Sequence, residues 1–308
     1  MNLLIGAATI GLILAPLALG IFISYRIFQM LDLTADGSFG VGAATAGALL
    51  VRHVPALLAT ALGIVAGAIA GGITGVLYTK FKVRPLLAGV LTSTAFYSVN
   101  LFIMGSGNLS LAGTDSLTSL ADKLGALLFP QAPDSALSAG TLATLLLVGM
   151  LAALLAVGLA LFLNTDLGLA LRAAGNNAQM ARAIGIDVDL MVVLGLGLAN
   201  GLIGLSGALL AQYDGFANIQ MGIGTVVTGV AMLMVGETLF GRRNLGRWIA
   251  SAVLGAVAFR LLIAGAVWAG LNPDALKLVT ALFVLAVLIL PEVIRRARAR
   301  SAASRIYA

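Results

Sequence analysis

The chain has 308 residues, of which 60% are hydrophobic and 10% charged, with a mean hydropathy of +1.08 and a formal net charge of +6. This balance excludes an ordinary water-soluble domain, because no soluble fold of this length can bury so much apolar surface. The lack of cysteine excludes disulfides, thiolate metal sites and thiol nucleophiles, and the scattered basic residues argue against nucleic-acid binding.

Apolar segments of roughly 20 residues recur along the chain, which is the length that crosses a bilayer core as a helix. Lipid offers no hydrogen-bond partner to open backbone, so these segments must be helical. We expect an all-α polytopic transmembrane bundle of about 8–10 spans, in one domain over residues 1–308, with the N-terminal segment retained as the first span. The predicted spans are Asn2–Ser24, Gly37–Val51, Ala56–Thr79, Pro85–Met104, Gly140–Leu163, Leu190–Ala211, Gly222–Phe240, Trp248–Ala269 and Leu276–Leu290.

Lysine and arginine predict the direction of insertion, because short cytoplasmic connections carry them in excess. They place the N-terminus outside and the C-terminus in the cytoplasm. The tail 295–308, which begins with RRARAR, would act as a stop and contact lipid headgroups. The residues assigned to the cytoplasmic side are Arg26, Lys80, Lys82, Arg84, Arg172, Arg182, Arg242, Arg243, Arg247 and Arg295–Arg300.

The segment LDLTADGSFGVGAA separates the first two spans and is unusually polar for its place. A helix that begins at Gly37 would have Asp36 or Ser38 near its cap. Such a broken or late-starting helix could expose backbone groups to a transport pathway. A plain cytoplasmic turn with an ordinary cap explains the same residues equally well.

The long segment 105–138 lies on the outer side of the predicted bundle. Within it, Leu117–Phe129 is apolar but too short to span, so we expect a surface or re-entrant helix. A faint repeat also relates the second span to the seventh, and both spans carry the pattern Gly-x-Gly-x-x-x-x-Gly. The pattern supports inverted pseudo-repeats, as found in transporters. Its glycines are Gly40, Gly42 and Gly47, and Gly222, Gly224 and Gly229.

The stretch DLGLALRAAGNNAQMARAIGIDVD, residues 166–189, is a patterned polar insertion between two spans. Asn176 or Asn177 can cap a short helix, and Gly185 can end it. The helix would place Met180, Ala183 and Ile184 on one side. Its small residues suit a protein groove better than a lipid surface, although a solvated loop with an ordinary capped helix remains an alternative.

Together with the following GLANGLIGLSGALLAQY, this insertion resembles the permease family of branched-chain amino acid and ribose ABC importers. The segment FANIQMGIGTVVTGVAMLMVGETLFG is most similar to permeases that accompany tryptophan/tyrosine-type periplasmic binding proteins. The resemblance implies a type II-like importer permease in the bacterial inner membrane. It also implies that the insertion is a coupling helix, seated in a cleft of a cytosolic ATPase. The implied coupling residues are Arg172, Gly175, Asn176, Asn177, Ala178, Met180, Ala181, Ala183, Ile184, Gly185 and Ile186.

The same resemblance implies a periplasmic substrate-binding protein and a second permease copy or paralogue. ATP and Mg would be bound by the partner ATPase, in agreement with the lack of a phosphate-binding loop in this sequence. The expected cargo is a small organic solute, preferably an aromatic or branched-chain amino acid, while sugars, nucleosides and vitamins remain open. The candidate pathway residues are Asp36, Gly37, Ser38, Asn100, Met221 and Arg260.

Several polar residues within predicted spans have more than one interpretation. Arg260 lies about 18 Å into its span at helical rise. It could attract a substrate carboxylate, pair with a polar neighbour or reach outward to lipid phosphate. Asn100, Asn200 and Gln212 are expected to bond across helices, with pathway lining as the alternative. Glu237 is expected to form a helix-end ion pair or to contact the ATPase.

Two other functional classes are weaker fits. An ion-coupled secondary transporter would need midplane carboxylates or histidines, of which the spans offer almost none. A membrane enzyme would need a paired acid and base or a metal motif. His53, the only histidine, sits beside Arg52 without a carboxylate cluster, so no metal or catalytic site is expected.

Overall fold

The computed structural model describes residues 2–128 and 139–270, together with Leu278, Leu282 and Leu285, and these residues are almost entirely helical. The prediction of an all-α membrane bundle is confirmed. The helices are α1 (Asn2–Ile13), α2 (Ala15–Ile21), a π-helix (Phe22–Ile27), α3 (Thr34–Val51), α4 (Ala56–Thr79), α5 (Pro85–Met104), α6 (Leu117–Leu128), α7 (Ala139–Phe162), α8 (Asp166–Asn176), α9 (Ala178–Ala183), α10 (Val188–Asp214), α11 (Thr225–Phe240) and α12 (Leu245–Trp268).

Six helical stretches in the described part of the chain are long and apolar enough to cross a membrane. Two further predicted spans are the helices α3 and α11, which have 18 and 16 residues. The ninth predicted span and the tail 295–308 lie outside the described residues. The six stretches are Leu3–Ile27, Ala56–Thr79, Pro85–Met104, Gly140–Phe162, Val188–Asp214 and Leu245–Trp268.

Helix α10 lies at the centre of the bundle, against α3 and α4. Small residues permit this close approach: a Cβ added at Gly42 would clash with the carbonyl of Gly204, and one added at Gly71 would clash with the carbonyl of Leu196. Helices in lipid associate through such close packing, because the surrounding acyl chains are as apolar as the side chains. Glycine is therefore required at Gly42 and Gly71.

Helix α10 also separates the two ends of the bundle. Its 27 residues span about 40 Å at helical rise. At one end lies α9, and we call this the α9 end. The opposite end carries a two-stranded antiparallel sheet of β1 (Asn108–Ser110) and β2 (Phe216–Asn218), which sequence patterns did not predict. We call it the sheet end.

The short helix α6 follows β1 at the sheet end, where a surface or re-entrant helix was expected. It has 12 residues, about 18 Å, and is too short to span. The side chain of Gln212 accepts a hydrogen bond from the first backbone N–H of α6 at 3.0 Å. Residues 129–138 lie outside the described part of the chain, so the prediction is tested only as far as Leu128.

Two sequence-based boundaries were wrong. Helix α3 begins at Thr34 and not at Gly37, because the Asp32 carboxylate accepts the Thr34 backbone N–H at 2.9 Å and starts the helix earlier. Helix α11 begins at Thr225, so Gly222 and Gly224 precede it, whereas Gly40 and the rest of the first glycine triplet lie inside α3. The glycine pattern therefore does not occupy equivalent positions in the two helices.

Candidate functional site

Two short helices, α8 and α9, form a projection between α7 and α10 at the α9 end. Asn177 lies between them and belongs to both. Its backbone N–H donates to the Ala173 carbonyl and closes α8, while its side-chain oxygen accepts the Met180 N–H at 3.0 Å and starts α9. Of the two asparagines considered from sequence, Asn177 is the cap. One residue thus sets the angle between the two helices.

The exit from α9 is equally well defined. Gly185 has φ +87°, a left-handed conformation that glycine adopts without strain. The N–H of Ile186 returns to the carbonyl of Ala181 at 3.0 Å, and the Asp187 side chain then caps α10 by accepting the Leu190 N–H. The segment is therefore an ordered turn of helix and not a slack loop.

The projection has one face turned outward and one turned toward the bundle. Met180 and Ile184 are 63% and 64% exposed, and Ala183 is also exposed. Ala181 is only 1% exposed and packs in the chain's own core. Ala181, one of the expected coupling residues, therefore faces the bundle and not outward. Met180 and Ala183 on this six-residue helix, and Ile184 directly after it, are therefore apolar side chains exposed outside the bundle.

The base of the projection is held tightly against the first span. A Cβ added at Gly175 would clash with the carbonyl of Ile27 in the π-helix, so only glycine allows this contact. Arg172 donates to the Leu163 carbonyl at the end of α7, at 3.4 Å. Movement of α9 is therefore transmitted through α8 to the spans that α8 contacts.

A polar cleft lies between α3, α5 and the segment before α11. It encloses about 280 Å³. Tyr97 and Thr94 on α5 are exposed beside it, and no lysine or arginine is found among its described lining residues. The cleft brings together three of the pathway candidates, Asp36, Gly37 and Asn100, with Ser93, Thr94, Tyr97, Ile219, Gly222 and Ile223.

Asp36 holds the start of α11 at this cleft. Its carboxylate accepts hydrogen bonds from the backbone N–H groups of Gly224 and Val226, at 3.1 and 3.0 Å, and from the hydroxyl of Thr225. A carboxylate is favourable there because a helix N-terminus carries a partial positive charge. The sequence suggested that Asp36 caps its own helix. In the structure Asp36 instead caps α11.

The other three pathway candidates lie elsewhere. Ser38 is fully buried, and its hydroxyl has no hydrogen-bond partner in the described structure. Met221 is partly buried against the hydrophobic core and is not among the cleft's lining residues. Arg260 is the sixteenth residue of α12 and interacts electrostatically with Asp214 at the end of α10, outside the cleft lining. The structure does not bring these three to the cleft.

Sequence reasoning missed two long-range polar contacts. Asn200 donates to the buried carboxylate of Asp32 at 2.6 Å, in the middle of α10. Glu237 forms a two-bond ion pair with Arg26, at 2.7 and 2.6 Å, and lies 3.8 Å from Arg242. The expected helix-end ion pair is thus present, with its main partner on the first span. Asn200 bonds to the segment that precedes α3, where a bond to another helix was expected.

Comparison with known proteins accounts for this arrangement. The profile of the family described as branched-chain amino acid transport system / permease component matches residues 3–290. The chain belongs to this family. The permease is thus a multi-pass protein of the inner membrane, and its family implies an ATPase and a binding protein as partners.

Individual relatives agree with this assignment. The permease is 35% identical to a tyrosine transport system permease protein of Clostridioides difficile over 288 residues, which covers 94% of this chain and 91% of that protein. It is 34% identical to an uncharacterised Rickettsia prowazekii protein, over 91% of this chain and 94% of the relative. An autoinducer 2 import system permease protein of Yersinia pseudotuberculosis is 26% identical over 79% of this chain and 64% of its own length. No solved structure matches the permease.

Proposed function

We propose that the permease is the non-catalytic membrane subunit of an importer that carries an aromatic or branched-chain amino acid into the cytoplasm. The similarity to a tyrosine transport permease over nearly the whole length of both proteins supports an amino acid as cargo. In this proposal a periplasmic binding protein selects and delivers the solute. A separate ATPase binds ATP and Mg and supplies the energy.

The exposed face of α9 is the proposed contact with that ATPase. The observation that carries this proposal is the difference in exposure between the two sides of α9: Ala181 is 1% exposed and Met180 is 63% exposed. A helix that is fixed on one side and presents apolar side chains on the other is suited to a partner's groove. Because its base contacts the π-helix at Gly175, force applied to α9 reaches the spans.

The polar cleft is the proposed half of the translocation pathway, which a second copy or a paralogue would complete. Support comes from the exposed side chains of Thr94 and Tyr97, which face away from the bundle core. The carboxylate of Asp36 and the hydroxyl groups offer hydrogen bonds to a zwitterion. Ile219 and Ile223 offer apolar contact to its side chain.

The proposed orientation places the α9 end in the cytoplasm and the N-terminus outside. It is supported by the basic residues that gather at the α9 end, including Lys82, Arg172, Arg182, Arg242 and Arg243. The sheet end would then receive the binding protein. A reporter fused before Asn2 and accessible only from the periplasm is the expected result of a topology assay.

Reconstitution tests the whole proposal. The permease, its cognate ATPase and the binding protein are placed in proteoliposomes, and entry of labelled tyrosine, leucine, ribose and a nucleoside is measured with ATP on the ATPase side. We expect ATP-dependent uptake of an amino acid. Uptake that needs an ion gradient and no ATPase would instead support a secondary transporter, and uptake of ribose or the nucleoside alone would overturn the amino acid assignment.

A further inference from the structure

A large basic pocket opens at the α9 end, between the π-helix, α8 and the segment that joins α11 to α12. Its volume is about 640 Å³. It lies beside the base of α8 and is separate from the polar cleft. Its lining comprises Phe22, Arg26, Ile27, Gln29, Leu169, Arg172, Ala173, Asn176, Arg242, Arg243, Asn244, Leu245 and Trp248.

The charge of this pocket is strongly positive. Four arginines line it, and no aspartate or glutamate is found among its described lining residues. Glu237 accepts two hydrogen bonds from Arg26 and lies 3.8 Å from Arg242, which leaves Arg172 and Arg243 without a carboxylate partner among the described residues. Arginines that converge on one space favour a phosphate group, since each guanidinium can donate two parallel hydrogen bonds.

Part of the pocket lining is apolar. The rings of Phe22 and Trp248 meet edge to face with centroids 5.1 Å apart. Leu169 on the pocket wall is 49% exposed, and Leu239, close to Arg242 in sequence, is 61% exposed. Exposed leucines beside arginines, at the end of membrane-spanning helices, are the composition of a lipid–water boundary.

We propose that this pocket binds the headgroup of an anionic phospholipid, with the phosphate held by Arg172 and Arg243 and the acyl chains lying against Leu169. Anionic lipids are attracted to such basic clusters in the cytoplasmic leaflet. An acidic surface of the ATPase is the competing occupant. The exposed leucines favour lipid, because acyl chains would cover them. An acidic protein surface would neutralise the arginines but leave the leucines exposed to water.

The position of the pocket gives the lipid a role in coupling. Arg172 and Asn176 belong to α8, whose C-terminal end carries the cap of α9. A lipid held there would brace α8 against the π-helix. The inference thus goes beyond the proposed function, since lipid retention can be measured with the permease alone, without ATPase or substrate.

The test is native mass spectrometry of the full-length permease with equal concentrations of phosphatidylglycerol or phosphatidylcholine. The Arg172→Gln/Arg243→Gln variant removes two charges from the pocket. Lys82→Gln/Arg182→Gln removes two charges from a different basic region of the α9 end and is the matched control. Both variants are first compared with the wild type by thermal unfolding, and Arg243→Gln alone replaces the double variant if that variant unfolds.

We expect the wild type and the control to retain phosphatidylglycerol in preference to phosphatidylcholine, and the pocket variant to lose about tenfold or more in affinity for it. Equal retention of the two lipids by the wild type would overturn the proposal. So would unchanged phosphatidylglycerol retention by the pocket variant, whether or not ATPase binding is lost. Full displacement by inorganic phosphate at millimolar concentration would identify a free-anion site and contradict the lipid assignment.

Discussion

The hydroxyl of Thr225 donates a hydrogen bond of 2.8 Å to the carboxylate of Asp36, 189 residues away along the chain. Through this bond and two backbone bonds, the first turn of α3 holds the first turn of α11. The two helix starts meet beside the polar cleft. Any movement of one helix at this level therefore displaces the other.

Asp36→Asn should weaken this junction. The amide offers one oxygen where the carboxylate offered two, and it lacks the negative charge that favours a helix N-terminus. We expect a loss of about 1–2 kcal/mol in the free energy of unfolding, together with reduced amino acid uptake. Thermal unfolding in detergent measures the first effect. Asp115→Asn is the control, because the contact of Asp115 within the described part of the chain is an exposed ion pair with Lys123.

Gly42→Ala should disrupt the centre of the bundle. The added Cβ would meet the carbonyl of Gly204, which is backbone and cannot move aside. We expect the free energy of unfolding to fall by about 1–3 kcal/mol. This appears as a lower midpoint of thermal unfolding and less folded protein in the membrane. Gly72→Ala provides the control, since no atom of the described residues lies within 4 Å of its added Cβ. Equal tolerance of the two substitutions would contradict the described packing of α3 on α10.

Glu237→Gln should leave Arg26 with an uncompensated charge. The Glu237 side chain is 7% exposed, and its pair with Arg26 is therefore poorly screened. We expect the free energy of unfolding to fall by about 3 kcal/mol in the single variant and to recover in part in the double variant Arg26→Gln/Glu237→Gln. Trp248, which donates to Glu237 at 2.7 Å, offers a fluorescence signal for the change. A double variant no more stable than the single variant would argue against a specific pair.

Asn177→Ala should loosen α9 without removing any exposed side chain from it. Loss of the cap to Met180 is expected to cost about 1 kcal/mol, to speed hydrogen exchange over residues 178–186 and to lower ATP-dependent uptake. Asn177→Asp keeps the acceptor and should restore slow exchange. Slow exchange in the alanine variant would show that the cap does not order α9.

Local signals in the sequence predicted α9 well, because a cap, a short helix and a terminating glycine all act within a few residues. Asn177 and Gly185 needed no information from elsewhere in the chain. The burial of Ala181 could not be predicted in this way, since the packing of α8 and α9 against α10 decides which side of α9 is covered.

Long-range polar contacts were beyond the sequence signals. Asp36, Asp32 and Glu237 each have a partner 168 or more residues away, and no periodic pattern relates these distant pairs. The start of α11 was placed too early because Gly222 and Gly224 continue an apolar stretch. In the structure they form the approach to the helix, where Gly222 packs on the backbone of Asp36.

Cysteine cross-linking tests the central claim, that the exposed face of α9 is the ATPase contact. The chain has no cysteine, so Ala183→Cys introduces a unique thiol on that face and Ala112→Cys introduces one on an exposed residue at the sheet end. With the cognate ATPase present and a short thiol–amine cross-linker, we predict an ATPase adduct from Ala183→Cys and none from Ala112→Cys. An adduct from Ala112→Cys alone, or none from Ala183→Cys in an assembled, active transporter, would contradict the account.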